Sequence, residues 1–291
     1  MKQIVVVSGK GGVGKTLISS NFSIYLHENG FNVIALDADL EAPNLHLVLG
    51  GRVVREYVER GAKRAFIDRD KCIDCLACIA TCQFKAIELI EGKPMVIDYL
   101  CEGCGACSLV CPREAIVLKD VEPGKLRIME TDYGFPLISG NLALGMRHTG
   151  KLVYRAKEMA EGLAKKDGVI VIDSAPGIGC PTIAAISGAD LGIVVLEPSL
   201  ASLQGCERVI KVLEHFKVPY LVILNKYKEE IMKRILDLLH RRGIKVEGMI
   251  PYDEHVYRAY VMGKPVIVKY PESPASRALV KLFREVIESA L

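Results

Sequence analysis

The chain has 291 residues, half of them hydrophobic, and its 38 Lys and Arg against 35 Asp and Glu leave a net charge of +3. That is enough apolar material for a large core and one or two domains, while the small, evenly spread positive excess gives no reason to expect a nucleic-acid partner. No apolar run approaches the ~18 residues of a bilayer span, and residues 1–8 hold a short apolar strand rather than a signal peptide. The expectation is therefore a cytoplasmic chain without stable membrane insertion. Ten cysteines in a compartment that keeps thiols reduced point to metal rather than disulfides.

Taken in order, Ile4-Val5-Val6-Val7 is an all-apolar run of the kind that forms a buried parallel strand. A glycine-rich turn follows, then a helical pattern from Thr16 to about Asn29, with Gly30 where a helix C′ residue belongs. Val33–Leu36 is a second strand, closed by Asp37-Ala38-Asp39. Arg52 to Arg69 is locally basic, either a solvated surface or a dock for an acidic redox partner. From about Arg64 to Glu122 the chain is dense in cysteine and lacks long helical periodicity.

The α/β alternation then resumes. Leu152–Lys166, Ser202–Phe216, Glu229–Arg241 and Pro274–Ala290 read as helices. Val169–Ile172, Gly192–Leu196 and Tyr220–Leu224 read as strands, the first ending at Asp173. The predicted fold class is α/β: a mostly parallel sheet domain formed by residues 1–63 and 123–291, interrupted by an α+β insert at 64–122.

Gly9-Lys10-Gly11-Gly12-Val13-Gly14-Lys15-Thr16 fits G-x4-G-K-[ST] between a strand and a helix, the context a phosphate loop requires. The glycines free backbone N–H groups to face phosphate, Lys15 reaches the β- and γ-phosphates, and the Thr16 hydroxyl binds Mg²⁺. Asp173, at the end of a buried strand, is the Walker-B-like acid that holds a Mg²⁺-bound water.

The predicted insert contains an internal repeat. Cys72, Cys75, Cys78 and Cys82 align with Cys101, Cys104, Cys107 and Cys111 at an offset of 29 residues, and Ala86, Ile87 and Leu89 match Ala115, Ile116 and Leu118 at the same offset. Each half reads C-x2-C-x2-C-x3-C, a pattern for four-iron clusters. Two zinc sites are the rival reading, although zinc more often uses C-x2-C pairs set farther apart. The runs resemble those of bacterial two-cluster ferredoxins. That resemblance implies crossed ligand sets: Cys72, Cys75, Cys78 and Cys111 for one [4Fe-4S] cluster, Cys82, Cys101, Cys104 and Cys107 for the other. Small residues (Ala77, Gly103, Gly105, Ala106) let backbone N–H groups approach the sulfurs. One irregularity is Gln83, where the second run has Pro112.

Lys10 makes the phosphate motif narrower. K-G-G-x-G-K-[ST], with D-x-D…P-N-L at Asp37, Asp39 and Pro43-Asn44-Leu45 and D-x-x-P-G from Asp173, resembles the deviant Walker A ATPases of the MinD/Mrp class. Together with the insert, the resemblance is to MinD-superfamily ATPases that carry a ferredoxin domain. It implies ATP or ADP with Mg²⁺ as ligand and a nucleotide-dependent homodimer in which Lys10 reaches the partner's nucleotide. It also implies Asp39 near the attacking water, Thr16, Asp39 and Asp173 as the Mg²⁺ group, Asp37 supporting Mg²⁺ or the loop, and Asn225 and Pro251 at the base. On the bland reading, D-x-D only caps a strand end and Lys10 is a surface lysine.

Two cysteines lie outside the runs. Cys180 precedes Pro181 at a helix start, where a thiol is either a redox or transient-cluster ligand or a small packed residue; Cys206 lies within a helical pattern and reads as structural. Three functions stay open: ATP hydrolysis coupled to electron transfer to an unknown redox partner, ATP-dependent cluster or metallocofactor assembly with an unknown acceptor, and MinD-like spatial regulation. A membrane-binding regulator would end in a basic amphipathic helix, whereas the apolar face of Leu279, Val280, Leu282, Phe283, Val286 and Ile287 reads as that of a packed one.

Overall fold

The computed structural model describes residues 1–143, 145–146 and 149–290. Its strands are β1 (Lys2–Val7), β2 (Val33–Ala38), β3 (Arg52–Val58), β4 (Ala62–Ile67), β5 (Ile87–Ile90), β6 (Lys93–Val96), β7 (Ile116–Val121), β8 (Gly124–Glu130), β9 (Pro136–Leu142), β10 (Val169–Ser174), β11 (Leu191–Leu196), β12 (Tyr220–Tyr227) and β13 (Gly248–Pro251). Its helices are α1 (Lys15–Glu28), α2 (Leu45–Leu49), α3 (Ala77–Thr81), α4 (Ala106–Leu109), α5 (Thr149–Leu163), α6 (Cys180–Ile186), α7 (Leu200–His215), α8 (Glu229–Arg241), α9 (Glu254–Val261), α10 (Val266–Lys269) and α11 (Pro274–Ala290). No helix among the described residues is long and apolar enough to cross a membrane.

One sheet of nine strands runs β13-β12-β11-β1-β10-β2-β9-β8-β3. Every pair from β13 to β9 is parallel, while β8 runs antiparallel to both β9 and β3. β1 explains the architecture in miniature. Ile4 and Val6 point into one buried cluster with Ile18, Phe22 and Phe283, whereas Val5 and Val7 point into another with Leu152, Leu203 and Val209. Successive side chains face opposite ways, so an all-apolar strand must be covered on both sides: α1 and α11 cover one face, α5 and α7 the other. α1 buries Ser19, Ser20 and Ser23 as well, and each hydroxyl donates to a carbonyl one turn back, so none is left unpaired. It ends as its sequence suggests, at Gly30 with φ +85°.

Residues 62–121 lie outside that sheet. β4 pairs with β7 and β5 with β6, both antiparallel. Ala65, Cys78, Ile87, Cys107 and Ile116 form a separate small core there. α3 and α4 are only five and four residues long, which is why no helical period is visible in the sequence.

Four strands of the sheet, β3, β8, β9 and β13, have no counterpart in the sequence reading. β3 is exposed along nearly its whole length, so its apolar alternation carries no signal. The basic stretch there is neither bare surface nor a demonstrated dock: Arg52 pairs with Glu130 across the β3–β8 ladder, and Lys125 and Arg127 both hold Glu56. Charged cross-strand pairs of this kind blunt an open sheet edge. α5 also begins and ends three residues before the predicted helix (Thr149–Leu163 against 152–166).

The contact between α1 and α11 centres on Phe22 and Phe283, whose rings are 4.9 Å apart. Phe283→Ala should cost about 3–5 kcal/mol and lower Tm by about 10 °C. Calorimetry that finds a loss under ~1 kcal/mol would mean that these rings do not anchor the helix.

Candidate functional site

The C-terminal ends of the parallel strands form one rim, where ligands of open α/β sheets bind. The loop from β1 into α1 is fixed there by two close approaches. A methyl group on Gly9 would lie 2.1 Å from the Gly205 backbone of α7, and one on Gly14, whose φ is +105°, would lie 2.2 Å from Asn225 Nδ2. Only glycine fits either place. Asn225 Nδ2 donates to the Val13 carbonyl (2.8 Å), and its Oδ1 accepts the Lys226 N–H (2.9 Å). The asparagine expected at a base thus has much of its carboxamide committed to bracing the loop from below.

Above the loop is a cavity of about 580 Å³. Lys15, Thr16, Asp37, Asp39 and Asp173 line one part of it; Asn225, Pro251, Tyr252, Tyr257 and Tyr260 line another. The expected Mg²⁺ and base residues therefore share a single cavity with Gly11, Gly12, Gly14 and Lys15 of the phosphate loop, whereas Gly9, Lys10 and Val13 do not line it. Lys15 is buried, which lowers its pKa, while Asp173, Asp39 and Asp37 pull it back up.

Asp37 and Asp173 are direct neighbours in the β2–β10 register, and both are buried. Asp37 spends its oxygens on the following loop, accepting N–H groups of Asp39 (3.2 Å), Asn44 (2.9 Å) and Leu45 (2.9 Å). Of its two expected roles, this geometry serves the loop. Burial, with the charge of Asp173 adding to it, raises its pKa well above the usual value. Asp173 accepts the Thr16 hydroxyl at Oδ2 (2.7 Å), and its Oδ1 is buried without a partner. Burial pushes Asp173 to about 6 despite the Thr16 hydrogen bond and the Lys15 charge. An unpaired carboxylate oxygen beside a threonine hydroxyl suits a hard cation with oxygen ligands, so this pair fits Mg²⁺. Asp39, half-buried, holds the Ala42 N–H weakly (3.4 Å) and so keeps oxygen capacity toward the cavity.

The loop after β10 touches the phosphate loop directly: the Gly177 N–H donates to the Ser8 carbonyl (2.8 Å). Lys10 does not project freely. Its ammonium pairs with Glu197 at 2.8 Å. Glu197 and Lys226 are absent from the sequence reading. The available signal was position, since Glu197 directly follows β11, the neighbour of β1, and Lys226 lies near the end of β12.

The eight clustered cysteines divide between two small cavities of residues 62–121. One is lined by Cys72, Cys75, Cys78 and Cys111, the other by Cys82, Cys101, Cys104 and Cys107. The fourth cysteine of each run lies in the cavity of the other run. Burial raises the Cys78 thiol, with Cys72 and Cys75 adding to it, and raises Cys107 with the help of Cys101 and Cys104. The Ala86 and Ala115 N–H groups donate to Cys82 Sγ (3.3 Å) and Cys111 Sγ (3.2 Å), matching bonds from repeat-related positions. Pro112 lines the first cavity, whereas Gln83 is exposed and Phe84 lines the second.

Among the described residues, no three His, Cys, Asp or Glu side chains gather as one metal ion needs. Structural zinc needs four donors converging on a point. A four-iron cube takes each thiolate at a different iron, so its ligands ring a cavity instead. Each cavity is lined by four thiols, the number of donors such a cluster takes.

Cys180 is exposed at the first residue of α6, and Cys206 is buried in α7, with burial pushing its thiol to about 12. α11 turns Leu279, Leu282, Phe283 and Val286 into the core.

The sequence profile of the CobQ/CobB/MinD/ParA nucleotide binding domain matches residues 4–266. The chain belongs to this family. It is similar to the uncharacterized protein MJ0578 of Methanocaldococcus jannaschii, 33% identical over 286 residues that cover 98% of this chain and 96% of the relative. It is also similar to the uncharacterized ATP-binding protein MJ0547 of that organism, 27% identical with 98% and 87% covered. The MinD cell division protein of Aquifex aeolicus shares its fold, with a TM-score of 0.62 at 24% identity, covering 100% of this chain and 99% of that one.

The orphaned aspartate gives a prediction. With Asp173 held near 6 against a usual 3.8, ionising it costs the nucleotide-free protein stability progressively as pH rises from ~4 to ~6, and the full cost remains at pH 7. Asp173→Asn should therefore stabilise the nucleotide-free protein at pH 7.5 by on the order of 1 kcal/mol, about 2 °C. That gain should vanish near pH 4, and stabilisation by Mg²⁺-nucleotide should be lost. Thermal shifts showing the variant less stable at pH 7.5 would mean that the Thr16 hydrogen bond outweighs the burial.

Proposed function

We propose that this protein is a Mg²⁺-dependent ATPase carrying two [4Fe-4S] clusters in an inserted ferredoxin-type domain at 64–122, with its nucleotide state governing electron transfer to a redox partner. The observation that carries the reading is the exchange of fourth cysteines between the two cavities. Independent zinc knuckles have no need to interlock in this way. Bound clusters would supply one-electron transfer. Cys72, Cys75, Cys78 and Cys111 would hold one, and Cys82, Cys101, Cys104 and Cys107 the other.

On this reading the phosphate-loop N–H groups and Lys15 hold the triphosphate, Thr16 and Asp173 hold Mg²⁺, and Asp39 orients the attacking water. Asn225 and Pro251 border the adenine. Lys10 reaches the phosphates of a second copy, which makes the active form a homodimer. The ATP-binding designation of the relative MJ0547 agrees with this substrate.

Contacts between the cysteine segment and the nucleotide domain support coupling. Arg64 of β4, tied to Asp98 within the segment (2.8 Å), also donates to Met146 Sδ of the nucleotide domain (3.5 Å), and a methyl group on Gly145 would lie 2.8 Å from Tyr99 Cβ. α5 starts just beyond. Its Gly150 lies against Cys180, close behind the loop that Gly177 ties to Ser8. A shift of that loop with γ-phosphate would reach α5 at Gly150, while Gly145 separately touches Tyr99 just before Cys101.

A second reading, ATP-dependent cluster or metallocofactor assembly, draws support from the exposed Cys180 thiol at the end of the same loop. A third reading, MinD-like spatial regulation, draws support from the fold shared with the MinD cell division protein of Aquifex aeolicus.

Anaerobic purification and redox titration with and without nucleotide test the proposal. Wild type should hold about eight irons per chain, and nucleotide should move at least one cluster potential. Lys15→Ala should abolish nucleotide binding and keep the iron. Zinc in place of iron would sink the cluster assignment. Potentials indifferent to nucleotide, together with an ATPase rate indifferent to redox state, would sink the coupling. Cluster transfer to an apo-acceptor that is lost in Cys180→Ser would favour assembly.

A further inference from the structure

Glu197 sits at the mouth of the phosphate site, where the chemistry of nucleotide binding calls for no carboxylate. It follows β11 directly, and its backbone N–H is fixed by the Ser202 hydroxyl of α7 (3.0 Å). Its Oε1 accepts from Lys10 Nζ at 2.8 Å and its Oε2 from Lys226 Nζ at 3.5 Å. Lys226 also donates to the Gly12 carbonyl of the phosphate loop. Its backbone has φ +59°, a left-handed conformation that disfavours a side chain. The chain accepts that strain and directs an ammonium group at the loop. One carboxylate therefore bridges two cations that flank the place where phosphates bind.

The bridge is poised rather than permanent. The Lys10 side chain is 45% exposed and that of Glu197 19%, so the lysine has room to leave while the glutamate stays. Partial burial pushes the Glu197 carboxyl up, but the Lys10 hydrogen bond and the Lys226 charge more than offset this and hold it below the ordinary glutamate value. It is an anion at neutral pH. A nucleotide triphosphate, the second copy's in the case of Lys10, is a stronger anion that competes for such an ammonium group, and a glutamate left beside it would be repelled. Lys226 has a second anchor on Gly12, so Lys10 is the group free to change partners.

We propose that Glu197 is a resting counter-ion that withholds Lys10 from phosphate, so that a terminal phosphate must displace a carboxylate before Lys10 can engage a nucleotide. The inference rests on the nucleotide reading of the cavity and adds a selectivity to it. A ligand that reaches Lys10 has to open the pair, and one that stops short of it leaves the pair closed. Triphosphate and diphosphate should therefore respond differently to loss of the carboxylate. The step is a change of ion-pair partner, with no bond made or broken.

The test is calorimetric binding of Mg-ATPγS and Mg-ADP to the full chain, as wild type, Glu197→Gln, Lys10→Ala, the double variant, and Lys226→Ala. Glu197→Gln should tighten ATPγS binding about fivefold, the scale of one partly exposed ion pair, and ADP binding less than ~2-fold. In the Lys10→Ala background the same change should move ATPγS binding by less than ~2-fold, the signature of a direct pair. Lys226→Ala should weaken both nucleotides alike, since that side chain also holds the loop. Glu197→Gln that weakens ATPγS binding would make the residue a simple brace and overturn the proposal. So would a tightening that persists undiminished without Lys10, or one equal for ADP and ATPγS. Wild type that binds neither nucleotide would overturn the reading of the cavity, and this inference with it.

Discussion

Two carboxylates on adjacent parallel strands, Asp37 and Asp173, are buried side by side, and much of the rim is arranged around the cost of keeping them there. Neighbouring buried acids repel and lose hydration, so each needs a partner or a proton. Asp37 finds its partners in three backbone N–H groups of the loop that follows it. Asp173 finds the Thr16 hydroxyl and keeps one oxygen unpaired. That oxygen is the one the proposed Mg²⁺ would meet. The strain is local, and it sits where a loop from β1 brings Lys15, its glycines and Thr16 together.

The cysteine segment solves a different problem. Residues 62–121 bury few of their apolar side chains, and two of the five residues that form the small cluster there are themselves cysteines, Cys78 and Cys107. Because each cavity borrows a cysteine from the other run, neither half can be completed alone. Filling both cavities would tie the two repeats together, as metal binding does in small domains generally.

How much of this could be read from the amino-acid order follows from the range of each interaction. The phosphate loop and the cysteine runs are legible because their chemistry fixes spacing within a few residues. Asp173 is legible because an apolar run ending in an acid is a local pattern. β3 escapes notice because an exposed edge strand has no buried face to impose alternation, and the helices of the cysteine segment are too short to show a period. The Lys10–Glu197 pair joins residues 187 apart, and Lys226 reaches Gly12 across a similar distance. No spacing rule connects such residues; only the strand order does, by setting β11 beside β1. Asn225 shows a subtler limit. It lines the expected cavity, yet its Nδ2 is used to hold Val13.

The route by which the chain leaves and re-enters the large sheet has a practical meaning. β3 and β8 are hydrogen-bonded neighbours at its edge, and just past them the Glu59 N–H donates to the Gly124 carbonyl at 3.0 Å. The two ends of the cysteine segment are thus already as close as the arms of a hairpin, which a turn of about two residues can close. Everything between them could be gained or lost in one genetic event without disturbing a single parallel strand. A laboratory could therefore excise the cysteine segment and close the gap with a short turn.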